Sequence, residues 1–140
     1  MAGSDLIRKA RVQDVRAIHR LLQDFAVEGK LLPRPLSALY DHLRDYAVAV
    51  DPETGLVTGC CALQICWEDM AEVRSLAVAR DYWGKGIGNR LLEWALKEAE
   101  EYGITRVFAL TYEPEFFERY GFMEVDKAEL PQKIWQDCLN

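Results

Sequence analysis

From Ala71 to Leu110 the chain runs AEVRSLAVARDYWGKGIGNRLLEWALKEAEEYGITRVFAL. This is an apolar strand, a short loop carrying three glycines, an amphipathic helix, a glycine stop and a second apolar strand. Ile87, Leu91, Leu92, Ala95, Leu96 and Ala99 recur at helical spacing, with Glu, Lys and Arg between them. Gly103 follows the last turn, where a left-handed C-cap is usual. Gly84, Gly86 and Gly88 stand just before the helix and in its first turn. Glycine inside a helix costs roughly 1 kcal/mol relative to alanine. Three of them at a helix start therefore point to backbone amides that must approach something closely. A helix N-terminus with open N–H groups binds anions, and phosphate is the usual one. Two strands joined by such a helix lie parallel in one sheet.

The rest of the chain builds hairpins around this unit. Leu6 to Ala10 has the pattern of a first strand. Val12 opens a helix whose apolar face is Val15, Ile18, Leu21, Leu22 and Phe25, with Gln13 and Asp14 in its first turn and Gly29 at its end. In GKLLPRPLS, Pro33 and Pro35 flank Arg34 and stiffen a loop. Leu36 to Leu43 suits a short helix. Tyr46 to Val50 and Leu56 to Trp67 suit two strands joined by the turn DPETG, and Trp67 to Met70 turns into the opening stretch. After Leu110, Pro114 can start a short helix that Gly121 ends. Phe122 to Val125 follows as a strand, and the tail past Pro131 has a helical pattern. The expectation is one α/β domain over residues 1–140, with a mixed central sheet of about six strands flanked by helices.

Charge and cysteine content narrow the function. The net charge of -6 argues against a general nucleic-acid or membrane-surface binder. No apolar run reaches the length of a membrane span, and MAGSDLIRKA has no signal-peptide core, so a cytoplasmic protein is expected. Cys60, Cys61, Cys66 and Cys138 form no CxxC pair and lie far from His19 and His42. Reduced cysteines and no metal site are expected.

Three kinds of anion-binding loop compete for the glycines. A dinucleotide fingerprint needs G-x-G-x-x-G, but Asn89 stands at its third glycine. A P-loop needs Gly-Lys followed by Ser or Thr, but Gly86 follows Lys85. The third fits. Leu76 to Leu92, LAVARDYWGKGIGNRLL, resembles motif A of the GNAT superfamily of acetyl-CoA-dependent N-acetyltransferases: strand, loop, Arg/Gln-x-x-Gly-x-Gly/Ala, helix. Trp83, Gly86 and Gly88 hold the matching positions, Trp83 in place of the usual Arg or Gln. FFERYGF resembles the family's second motif through Phe116, Gly121 and Phe122, with Phe117 where a catalytic tyrosine is common. RKARVQDVRAI, LLPRPL, GCCALQ, AEVRSLAV, FALTYEPEFFERYGF and ELPQK, in that order, look like the acetyltransferase domain of N-acetylglutamate synthases in a short stand-alone form.

The resemblance implies the GNAT fold, acetyl-CoA as acetyl donor, and acetylation of the α-amine of L-glutamate or L-glutamine, a step of arginine biosynthesis. It implies that backbone amides of Leu76, Ala77 and Val78 pair with pantetheine. It places Trp83, Gly84, Lys85, Gly86, Ile87, Gly88 and Asn89 around the diphosphate. Phe117 would wall the coenzyme or pack the core.

Acetyl transfer to an amine needs a proton taken from the ammonium, stabilisation of the thioester oxygen, and reactants held together. Glu72 is the expected base. Period-two alternation puts Glu72, Arg74, Leu76 and Val78 on one face of the strand. A carboxylate near a strand centre is partly desolvated, which raises its pKa and suits base work. The synthases use a glutamate at this position. A surface Glu72–Arg74 pair is the alternative, with Glu68 and Asp69 as fallback bases. Strand amides near Leu76 would hold the oxyanion. Thr111 and Tyr112 are the candidates for a general acid, and Tyr120 stands between that role and packing. Thiolate leaves well enough to need none.

Arg34 first and Arg74 second would bind the amino-acid carboxylate with a two-pronged fork. Lys30 is a weaker choice. The expected partner is a small amino acid, not nucleic acid or membrane, and a homodimer is compatible with this. Two other functions stay open: a GNAT for another small amine or a protein amine, and an acetyl-CoA-binding sensor without turnover.

Overall fold

Alternating apolar segments pair as the hairpin turns require. β1 (Leu6–Lys9), β2 (Tyr46–Val50), β3 (Val57–Trp67), β4 (Met70–Val78) and β5 (Arg106–Ala109) form one sheet in the order β1-β2-β3-β4-β5. The first three pairings are antiparallel, and β4 pairs with β5 in parallel across the helical crossover. The helices are α1 (Val15–Val27), α2 (Leu36–Asp41), α3 (Ile87–Glu101) and α4 (Pro114–Glu118). This computed structural model describes residues 5–27, 34–111 and 113–125. Packing divides the chain into two compact units, Met1–Leu110, which holds the sheet with α1 to α3, and Thr111–Asn140, which holds α4. The fold is the expected mixed α/β sheet flanked by helices. Phe122 to Val125, expected as a strand, pairs with none of the described strands.

The apolar stripe of α1 is the one its spacing predicts. Val15, Ile18, Leu21, Leu22 and Phe25 are buried together with Leu39, Tyr46, Val48, Cys60, Ala62 and Ala77. The other face of the sheet receives α3, which buries Ile87, Leu91, Leu92, Ala95 and Ala99. Gly59 lets α3 come close: a Cβ there would stand 3.0 Å from Leu91 Cδ1 and 3.1 Å from the Ala77 carbonyl oxygen.

The start of α1 is tied to the sheet through Asp14. Arg8 donates to both Asp14 carboxylate oxygens, at 2.7 and 3.1 Å, and the Arg11 amide donates at 2.7 Å. Burial pushes the Asp14 carboxyl up, but Arg8 and the Arg11 amide outweigh it and hold the group below its ordinary value. Its stabilisation is therefore complete above the ordinary carboxylate range and is lost as pH falls through the lowered folded value. Asp14→Ala is expected to lower the unfolding free energy by about 1–3 kcal/mol, since Arg8 would keep a half-buried guanidinium without its partner. The denaturant midpoint measures this, and an unchanged midpoint would show the tie to be redundant.

One irregularity shapes everything that follows. Along β3 and β4, Ala62 faces Arg74, yet Cys60 faces Ala77. Ser75 and Leu76 thus share the space opposite Cys61, which is a β-bulge on β4. Ser75 holds a φ of +57°, the only positive value among the described non-glycine residues. The extra residue reverses the alternation. Glu72 and Arg74 share a face with Ala62 and Cys60, the face against α1, whereas Val78 pairs with Gly59 on the face toward α3. The uninterrupted alternation expected for Glu72, Arg74, Leu76 and Val78 is therefore corrected: Val78 lies on the opposite face from Glu72 and Arg74.

Candidate active site

Glu72 lies in the middle of β4, 5% exposed, between β3 and β5. The Arg74 guanidinium is beside it, Nε 3.7 Å from Glu72 Oε1. The two do form a pair, but a buried one rather than the surface pair considered from sequence. Arg74 also donates through Nη1 to Gln64 Oε1, while its Nε is buried without a hydrogen bond. Gln64 stands directly across the ladder from Glu72.

The bulge places a second polar pair next to this one. Tyr46 Oη donates to Ser75 Oγ at 3.0 Å, and Cys60 Sγ donates to the Ser75 carbonyl at 3.2 Å. Burial pushes the Tyr46 hydroxyl up to about 12, against the pull of Ser75 and of the charges of Arg34 and Arg74. Tyr46 is therefore a neutral donor at neutral pH. It also shows that Arg34 and Arg74 both act on one spot, at the start of β2 beside the bulge. Tyr46, Ser75 and Gln64 are the members of this cluster that the sequence did not single out. No motif marks them; only strand pairing brings them to Glu72. Burial also pushes the Cys60 and Cys61 thiols up, Cys61 to about 12, so neither offers a thiolate nucleophile near neutral pH.

Beyond Glu72 the sheet opens. β5 pairs only with Met70 to Val73 of β4. From Arg74 to Val78 no described strand covers that side of β4. This free edge is where an extended chain with amide groups can add main-chain hydrogen bonds. It leads straight into a 3-10 turn, Arg80–Tyr82, and the glycine loop.

Gly84 and Gly86 hold φ of +82° and +79°, and a Cβ on either would meet nothing within 4 Å. Gly86 is the N-cap of α3 and supplies no side chain, so the first amides of α3 have neither an intrahelical acceptor nor a side-chain cap. Backbone donors thus face open space at the positive end of a 15-residue helix. The residues fit a diphosphate with an amide-bearing arm.

The side chains of the predicted loop divide by role. Ile87 is buried in the core and offers only its amide. Trp83 turns back onto the protein: its Nε1 donates to the Val78 carbonyl at 2.7 Å, and its ring stacks on Phe25 at 6.3 Å. Lys85 Nζ lies 4.8 Å over the Tyr82 ring. Among the described residues no group of His, Cys, Asp and Glu could hold a metal ion.

The second unit carries three of the expected site residues. Thr111 is exposed, and its Oγ1 accepts the Glu113 amide at 2.8 Å, just before α4. Phe117 packs edge-on against Phe116 and Phe122, at 5.3 Å each. Tyr112 lies outside the described residues, as does Lys30.

The sheet is thus opened at one strand edge, which feeds an uncapped helix through a glycine loop, with a buried carboxylate at the opening. A family model described as acetyltransferase (GNAT) family matches residues 15–122. The chain is 42% identical over 139 residues to an uncharacterized N-acetyltransferase of Chlorobaculum tepidum, covering 99% of this chain and 88% of that one. It is 37% identical over 134 residues to an amino-acid acetyltransferase of Mycobacterium tuberculosis, covering 94% and 76%.

Among solved structures, a protein of Mycobacterium tuberculosis in complex with CoA and NLQ matches with a TM-score of 0.87 at 36% identity, over 96% of this chain and 82% of that one. The N-acetylglutamate synthase of Neisseria gonorrhoeae, complexed with coenzyme A and N-acetyl-glutamate, matches with a TM-score of 0.89 at 30% identity. That match covers 98% of this chain and 32% of the synthase, so the chain spans about a third of that protein's length. The chain belongs to the GNAT family and is an N-acetyltransferase.

Proposed function

We propose that this enzyme transfers the acetyl group of acetyl-CoA to the α-amine of an amino acid, L-glutamate or L-glutamine, as a step of arginine biosynthesis in the cytoplasm. The observation that carries the reading is the buried Glu72–Arg74 pair at the mouth of the open β4 edge, with Arg34 in electrostatic reach of the same spot. Glu72 takes the proton that the ammonium must lose, and the freed amine attacks the thioester carbonyl directly. Buried, protonated Cys60 and Cys61 favour this direct transfer over an acylated thiol. Free amides of β4 past Arg74 stabilise the oxygen as it gains charge. Arg34 and Arg74 hold the acceptor's carboxylate. Thr111 and Tyr112 remain our choices for protonating the departing thiolate, which leaves well enough without help. The amides of Leu76, Ala77 and Val78 hold the donor's arm, and the loop from Trp83 to Asn89 its phosphates. We take residues 1–140 as one catalytic domain, in keeping with a family match that runs from α1 past α4.

The test is a panel of amines assayed with acetyl-CoA: glutamate, glutamine, other amino acids, a polyamine and a peptide N-terminus. Turnover is expected with glutamate or glutamine, at a kcat/KM at least about tenfold above the polyamine and the peptide N-terminus, since a carboxylate-binding arginine pair discriminates by more than about 1.4 kcal/mol against amines without a neighbouring carboxylate. Silence toward both, with turnover of a peptide or polyamine, would move the enzyme to another acceptor class. Donor binding with no turnover of any amine would make it a sensor.

A further inference from the structure

We propose that Asp51 and Tyr82 form a positioning pair that sets Lys85 and the glycine loop for the phosphates of the donor, so that the enzyme favours a diphosphate-bearing thioester over the bare arm. This rests on the assignment of the loop to acetyl-CoA. Asp51 closes the turn between β2 and β3, far from the loop in sequence. Its backbone amide donates to the Leu56 carbonyl at 2.9 Å, and its own carbonyl accepts the Gly55 amide at 2.8 Å. Its carboxylate is divided between two tasks. Oδ1 accepts the Glu53 amide at 2.9 Å and so belongs to the turn, while Oδ2 accepts Tyr82 Oη at 2.7 Å.

Tyr82 ends the 3-10 turn immediately before the loop, and the Lys85 ammonium sits 4.8 Å above the centre of its ring. A phenol donating to a carboxylate is richer in electrons, which strengthens the hold of its face on a cation. The neighbouring Trp83 is pinned independently, by the Val78 carbonyl and by Phe25. The two aromatic residues thus clamp the loop at one end of the sheet, one from the β2–β3 turn and one from the end of β4. Only Gly84 and Lys85 remain between the clamp and the N-cap Gly86. A lysine on a free stem would spend rotamer entropy on each phosphate it meets. Lys85 is lodged instead on a ring that is itself held, one residue before the N-cap of α3.

Tyr82→Phe keeps the ring and removes the hydroxyl's bond to Asp51, together with its contact to Thr54 in the same turn. With the best acceptor of the amine panel, its KM for acetyl-CoA is expected to rise roughly 3–10-fold, the loss of one charge-assisted hydrogen bond at a partly exposed site, with kcat unchanged. Its KM for acetyl-pantetheine, which carries the same thioester arm and no diphosphate, is expected to stay the same. Asp51→Ala should behave alike, and Asp51→Asn, whose amide oxygen still accepts from Tyr82, should restore most of the affinity. No rise in KM for acetyl-CoA, or an equal rise for both donors, overturns the positioning role while leaving the donor assignment standing. A wild-type protein that binds no acetyl-CoA overturns the donor assignment, and the pair's role with it.

Discussion

Glu72→Gln is expected to lower kcat by about 10²–10⁴-fold, the usual loss on removing a positioned base, with acetyl-CoA affinity nearly unchanged. The substitution preserves shape and removes the charge. On the proposed assignment the donor's arm and phosphates meet main-chain groups from Arg74 onward and the start of α3, none of which the exchange touches. Arg74 would lose the carboxylate 3.7 Å from its Nε but keep its bond to Gln64, so the fold should survive, as a melting curve would show. The limb of the pH profile of kcat/KM that reports the base should disappear with the side chain. A variant with that limb intact would take the role of base away from Glu72.

The second large effect is expected at Gly86. Gly86→Asp should abolish acetyl-CoA binding, a loss of at least about 100-fold, by setting a carboxylate where we propose that the diphosphate meets the helix start. The backbone permits the exchange. Gly86 has a φ of +79°, a left-handed conformation that Asp and Asn tolerate better than other side chains, and a Cβ there meets nothing within 4 Å. Gly86→Asn separates charge from shape. It carries a side chain of the same size and should retain part of the affinity. Titration with acetyl-CoA, beside circular dichroism to confirm folding, decides the matter. A folded Asp variant that binds normally would show that the phosphates lie elsewhere.

Most of the scaffold was legible because it rests on local signals. The spacing of Val15, Ile18, Leu22 and Phe25 gave α1 its buried face, β2 begins and ends at Tyr46 and Val50 as expected, and Pro114 starts α4. The glycine loop was legible for the same reason, since three glycines at a helix start have few physical uses. The bulge was not. Strand alternation is a rule for uninterrupted pairing, and Ser75 carries a positive φ without the glycine that would normally announce it. Its consequences, the reversal at Val78 and the seat of Tyr46 on Ser75, exist only once β2, β3 and β4 are aligned. Asp51 and Tyr82 were hidden likewise, because 31 residues separate the two ends of a single hydrogen bond.

On the proposed assignment, the early end of the β4–β5 pairing, after four rungs, divides the labour of recognition between two kinds of group. The donor side would consist largely of main-chain amides, which no substitution short of proline removes, with Lys85 beside them. The acceptor side would consist of side chains at Arg34, Arg74 and Glu72, each replaceable by itself. Such a scaffold can exchange its amine substrate while keeping its acetyl source. Altering specificity here is therefore a problem confined to the α1 face of the sheet, and the opposite layer, with α3, can be left alone.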